Sequence, residues 1–81
     1  MRIPRDLSGA DLAKRLGRLG YLVTRQTGSH MRLTCSSPSE HHVTIPNHDP
    51  LRIGTLAATL DSVARHHGLS RDALLERLFS K

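Results

Sequence analysis

Between Tyr21 and Pro46 the chain alternates apolar or β-branched residues with polar ones in three stretches, separated by short breaks. Tyr21–Thr27 and His30–Cys35 are divided only by Gly28 and Ser29, a pair suited to a tight hairpin turn, so antiparallel pairing is expected. The polar loop 36–40 then leads to His41–Pro46, where Val43 and Ile45 share one side and His42 and Thr44 the other. A three-stranded antiparallel sheet with one apolar side needs that side covered.

The flanking segments carry the pattern that would cover it. Ser8 and Asp11 have capping-box spacing, with Leu7 and Leu12 placed as a hydrophobic staple, which predicts a helix from near Gly9 to Gly20. Its stripe is Leu12, Leu16 and Leu19; Lys14, Arg15 and Arg18 form a basic flank. After an irregular connection marked by Pro46, Asn47, Asp49 and Pro50, the residues Ile53, Leu56, Ala57, Leu60 and Val63 repeat at helical spacing up to His67, with Gly68 as the stop. Ser70 caps a last short helix whose apolar face is Leu74, Leu75, Leu78 and Phe79. The expected fold is α+β: a three-stranded antiparallel sheet with helices on one face, in the order α-β-β-β-α, plus a short C-terminal helix packed at a sheet edge or against a partner. With 81 residues the chain can bury one modest core, so residues 1–81 are read as one domain.

Composition narrows the function. Ten Arg, two Lys and a net charge of +5 suit a polyanionic partner, because arginine makes forked contacts with phosphate oxygens. One Tyr, one Phe and no Trp exclude an aromatic base-stacking platform, so nucleic-acid contacts would be mainly electrostatic. Cys35 is the single cysteine, no apolar run approaches the roughly 20 residues needed to cross a bilayer, and the first residues lack a secretion signal; a cytoplasmic protein is expected.

Six histidines bear the chemistry. His66 and His67 fall in the last turn of the second helix, where imidazole suits the helix dipole. His41 and His42 are adjacent on a strand and face opposite sides, leaving His42 for the open surface. No His-x-x-x-His or Cys-x-x-Cys pair is present, so no metal or other cofactor is expected. His30 directly follows Gly28 and Ser29, whose turn backbone can approach a phosphate, and it shares a strand side with Arg32 and Thr34. RNA supplies its own 2′-hydroxyl nucleophile, so an imidazole base beside an arginine is sufficient to cleave it without metal. His30 as a strand-end residue bonded to the turn backbone is the other reading, and the residues alone do not choose between them.

The segments Arg25-Gln26-Thr27-Gly28-Ser29-His30, Thr44-Ile45-Pro46-Asn47-His48 and Gly54-Thr55-Leu56 resemble, in order and spacing, the HicA family of RNA-cleaving toxins. Leu19-Gly20-Tyr21 and Gly68-Leu69-Ser70 fit the same pattern, so the resemblance runs over almost the whole chain. It implies a fold like that of double-stranded-RNA-binding domains, a translation-blocking mRNA interferase activity in stress response, and a HicB-like antitoxin partner that sets the oligomeric state. It makes His30 the catalytic residue, with Gly28 and Ser29 before it and His48 matching a histidine after the third strand. Independently of the resemblance, Arg32 and Arg25 are the cations expected to hold phosphate, with His48 or water as second proton carrier. The chain departs from the family in Asp49 and in the scarcity of lysine between Pro46 and Gly54. Two other functions fit the residues: a noncatalytic RNA-binding module, and a protein-interaction subunit burying Leu75 and Leu78 against a partner.

Overall fold

The computed structural model describes residues 3–80. Helix α1 spans Gly9–Leu16 and is continued by a single 3-10 turn over Gly17–Leu19. Strands β1 (Leu22–Thr27), β2 (His30–Cys35) and β3 (His41–Pro46) follow, then helices α2 (Ile53–His67) and α3 (Arg71–Phe79). The sheet order is β1-β2-β3, with both pairs antiparallel.

Each element starts and stops where its residues dictate. The Ser8 hydroxyl accepts the Asp11 backbone N–H at 3.0 Å, and Ser70 accepts that of Ala73 at 3.1 Å, so both helices begin on side-chain caps. Gly28 takes φ of 55° between the paired residues Thr27 and His30, as a two-residue hairpin with glycine at its first central position requires. The first helix is shorter than its leucine stripe suggests, because the chain tightens into the 3-10 turn before Gly20 reverses it. Tyr21 then lies buried ahead of β1 instead of opening it.

Alternation along β2 sorts the sheet into two faces. Met31, Leu33 and Cys35 are buried, while His30 and Arg32 are exposed and Thr34 is half-buried. On β3, Val43 and Ile45 are buried and His42 and Thr44 exposed. Leu12 and Leu16 of α1, Leu56, Leu60 and Val63 of α2, and Leu74, Leu75 and Leu78 of α3 complete the core. Each such side chain contributes about 1.5–3 kcal/mol by leaving water.

Helix α3 therefore spends its apolar face inside the molecule, and Leu75 and Leu78, both fully buried, do not present a docking surface. Arginines of α1 and of the 3-10 turn secure it: Arg15 donates to the Leu78 carbonyl at 3.5 Å, and Arg18 to the carbonyls of Arg77, at 3.4 Å, and Ser80. These cations meet the carbonyls that a helix end leaves unpaired, so Arg15 and Arg18 of the basic flank are committed to α3.

The start of α1 presses on the end of β3. Gly9 is buried, its N–H donates to the His48 carbonyl at 2.9 Å, and a Cβ on it would run into the Pro46 carbonyl oxygen and approach the Asn47 Cα to 3.1 Å. A second tie, from the Leu51 N–H to the Leu7 carbonyl at 2.8 Å, holds the rest of the β3–α2 connection. Gly9→Ala is expected to cost about 1–3 kcal/mol, because backbone must move. Gly17→Ala meets nothing within 4 Å and has helical backbone, so it should gain about 0.4–1 kcal/mol. Thermal unfolding of the two variants checks this pair; equal effects would contradict it.

Candidate nucleic-acid interface

The open face of the sheet has two halves with opposite character. Toward its Glu40 end, side chains satisfy one another in a row across all three strands. Thr24, the extra residue where the β1 register shifts, lies 2.9 Å from Thr34 through the two hydroxyls. Thr34 meets His42 Nδ1 at 2.8 Å, and His42 Nε2 meets Glu40 at 3.1 Å.

Toward the Gly28 end the pattern reverses. His30 is paired with Thr27 on one side and Pro46 on the other, and Arg32 with Arg25 and Thr44. All these residues are exposed except half-buried Pro46, and among the described residues the side chains of Arg25, Thr27, His30, Arg32 and Thr44 make no hydrogen bond or ion pair with the protein. The reading of His30 as a residue bonded to its own turn is not what the structure contains. Two arginines directly opposite each other repel, and nothing internal offsets it.

The turn and the following loop complete this end. Ser29 carbonyl accepts the Asn47 N–H, which ties the β1–β2 turn to the β3–α2 loop. His48 lies two residues beyond Pro46, exposed, with its carbonyl held by Gly9. Helix α2 then starts on Arg52 with no side-chain cap and no acid in its first turn. The geometry thus gathers His30, Arg25, Arg32, Gly28 and Ser29 at one end of one face, with His48 on the adjoining loop. An imidazole flanked by paired guanidiniums can move a proton beside a bound phosphate.

A second histidine group lies on the covered side, at the other end of β2. Tyr21 Oη is 2.6 Å from His41 Nδ1 and 3.1 Å from His67 Nε2, and His67 Nε2 is 4.0 Å from Cys35 Sγ. The His41 and His66 rings stack at 4.2 Å, and His66 Nε2 meets the Ser39 carbonyl at 2.9 Å. Burial, then neighbouring imidazoles, lowers His41; burial, then His66 and Arg77, lowers His67. Burial, reinforced by Cys35, raises the Tyr21 hydroxyl well above its usual range. Sequence reasoning gave His66 and His67 only the helix dipole. The signal available was the pairing of Cys35 with His41 across the predicted hairpin; the third partner comes from a distant helix.

The family model for the HicA toxin of bacterial toxin-antitoxin matches residues 9–69, from the first residue of α1 to the residue before the Ser70 cap. The chain belongs to the HicA toxin family. No curated protein and no solved structure matches it. It is thus the toxin component of a toxin–antitoxin pair, and the matched stretch contains the hairpin with His30 and the loop with His48. Helix α3 lies beyond the match, yet it supplies three core leucines to this HicA-family fold. Among the described residues no helix is long and apolar enough to cross a membrane.

The repulsion across β1 and β2 has a measurable signature. Arg25→Gln should leave the melting temperature equal or slightly higher at low salt, with the difference vanishing near 1 M salt, where screening acts within about 3 Å. A clear loss of stability at low salt would mean that Arg25 has a structural partner.

Proposed function

We propose that this HicA-family toxin is an endoribonuclease that cleaves mRNA at the Gly28 end of its open sheet face, with His30 as the catalytic residue. The observation that carries this reading is the contrast on that face: the Thr24-Thr34-His42-Glu40 end is internally satisfied, whereas His30, Arg25 and Arg32 are exposed and unpaired. Paired guanidiniums left unneutralised are suited to a phosphodiester, and a neighbouring imidazole supplies the base.

In the proposed reaction neutral His30 takes the proton of the ribose 2′-hydroxyl. The 2′-oxygen attacks phosphorus, the bond to the 5′-oxygen breaks, and that oxygen gains a proton from water or from His48. The products are a 2′,3′-cyclic phosphate and a 5′-hydroxyl end. Arg25 and Arg32 stabilise charge on the phosphoryl oxygens, and the backbone of Gly28 and Ser29 lets the strand approach. His30 needs no metal ion for this step. DNA lacks the nucleophile and is not a substrate.

The reading puts the protein in the cytoplasm with its mRNA. A HicB-like antitoxin would inhibit by covering the basic end of the sheet, and an acidic surface on that partner would speed the encounter.

The test is cleavage of a long single-stranded RNA in EDTA by the wild type beside His30→Ala. Wild type should generate cyclic phosphate ends, and His30→Ala should lose at least ~100-fold in rate, with RNA affinity held within a few-fold. Arg32→Gln should weaken binding as well. Undiminished cutting by His30→Ala would refute the assignment. RNA binding without cutting by either protein would make this a noncatalytic RNA-binding module.

A further inference from the structure

The cleavage site proposed above uses none of the groups beneath the other end of the sheet. There Cys35 of β2, His41 of β3 and His66 of α2 bring one ligand atom each to within 4.8 Å of one another. We infer that Cys35, His41 and His66 form a Zn²⁺ site that clips the end of the β2–β3 hairpin to the last turn of α2.

The donor set selects the ion. One thiolate and two imidazoles suit zinc, whereas magnesium and calcium need oxygen ligands and find no carboxylate in this group. Zinc bonds of about 2.0–2.3 Å put the ligand atoms of a tetrahedral site roughly 3.3–3.6 Å apart, so closing the site takes side-chain rotations that draw the ligand atoms together by about 1 Å. Binding expels the Cys35 thiol proton to solvent and leaves the thiolate on the metal.

The backbone holds these ligands ready. Cys35 is directly opposite His41 in the β2–β3 pairing, so two ligands come from one rigid ladder rung. The His66 ring lies against His41 at an interplanar angle of 10°, and because each imidazole coordinates in its own plane, it must turn out of this stack to share an ion with His41. Ser62 Oγ, 3.2 Å from His41 Nε2, and the Ser39 carbonyl beside His66 Nε2 restrain the rings from outside, as the surroundings of zinc histidines do; both rings then coordinate through Nδ1, and the ion takes the place of Tyr21 Oη at His41 Nδ1. Water supplies the fourth ligand, since His67 Nε2 lies 3.1 Å from Tyr21 Oη and outside the converging set. Cys35 is buried but His41 and His66 are half-exposed, which gives the ion a route in. A buried polar cluster normally costs stability relative to apolar packing, and a bound ion reverses that sign.

Cys35 is five residues along β2 from His30, about 17 Å at strand rise, and on the opposite face. The clip is therefore structural, and RNA cleavage in EDTA does not depend on it.

The experiment is titration of the reduced, metal-stripped protein with Zn²⁺ against a chromophoric chelator, and with Co²⁺ followed by absorption. One equivalent should bind, the cobalt form should show tetrahedral d–d bands with a thiolate charge-transfer band, and zinc should raise the melting temperature. Cys35→Ser should abolish the charge-transfer band, and both Cys35→Ser and His66→Gln should weaken zinc at least tenfold; His42→Gln and His48→Gln should bind as wild type. Circular dichroism identifies any variant that fails to fold, and the wild-type cobalt spectrum decides without variants. No stoichiometric binding at micromolar zinc, affinity unchanged in folded Cys35→Ser, or dependence on His42 or His48 would overturn the site.

Discussion

The strict alternation of β2 governs the molecule, because it is the central strand and each of its residues is committed to one side. Met31, Leu33 and Cys35 meet the helices; His30, Arg32 and Thr34 face outward. A slip of one residue would bury two charged or titratable groups and expose Leu33, so the apolar set enforces the register that presents His30. The neighbouring strands inherit it, and the side-chain row from Thr24 to Glu40 fixes one end of the open face by satisfying its polar groups internally. What is left unsatisfied at the other end is cationic. That uncompensated charge, next to an exposed imidazole, is what the proposed RNA site rests on.

The same strand connects two separate groups of side chains. Its first residue belongs to the basic end of the open face, and its last, Cys35, to the covered histidine group beneath the other end. Arg15 of α1 and Arg18 of the turn that follows it join the stabilising side by capping α3.

Much of this was legible in the residues. Strand pairing followed from alternation and from Gly28-Ser29, and the same alternation assigned His42, not His41, to the open face. Helix boundaries at Ser8, Gly68 and Ser70 followed from capping chemistry. Contacts between residues far apart in the chain were not legible. Nothing local says that Arg15 and Arg18 reach the end of α3, or that Tyr21, 46 residues before His67, lies within hydrogen-bonding distance of it. The register shift at Thr24 escaped notice as well, because it is made without glycine; that shift brings the Thr24 hydroxyl to Thr34, whereas the pairing of Arg25 with Arg32 follows from the turn itself. His30 was identifiable as a candidate, but its freedom from any internal bond was a tertiary fact.

The central claim, that the Gly28 end of the open face is where RNA acts, is tested most directly by amide chemical-shift mapping of the His30→Ala protein with a short single-stranded RNA. The account predicts shifts at Arg25, Gly28 to Arg32, Thr44, Ile45, Asn47 and His48, with Tyr21, Cys35 and α3 unmoved. Shifts concentrated on the helices or around Cys35 and His66, with the hairpin end silent, would contradict it.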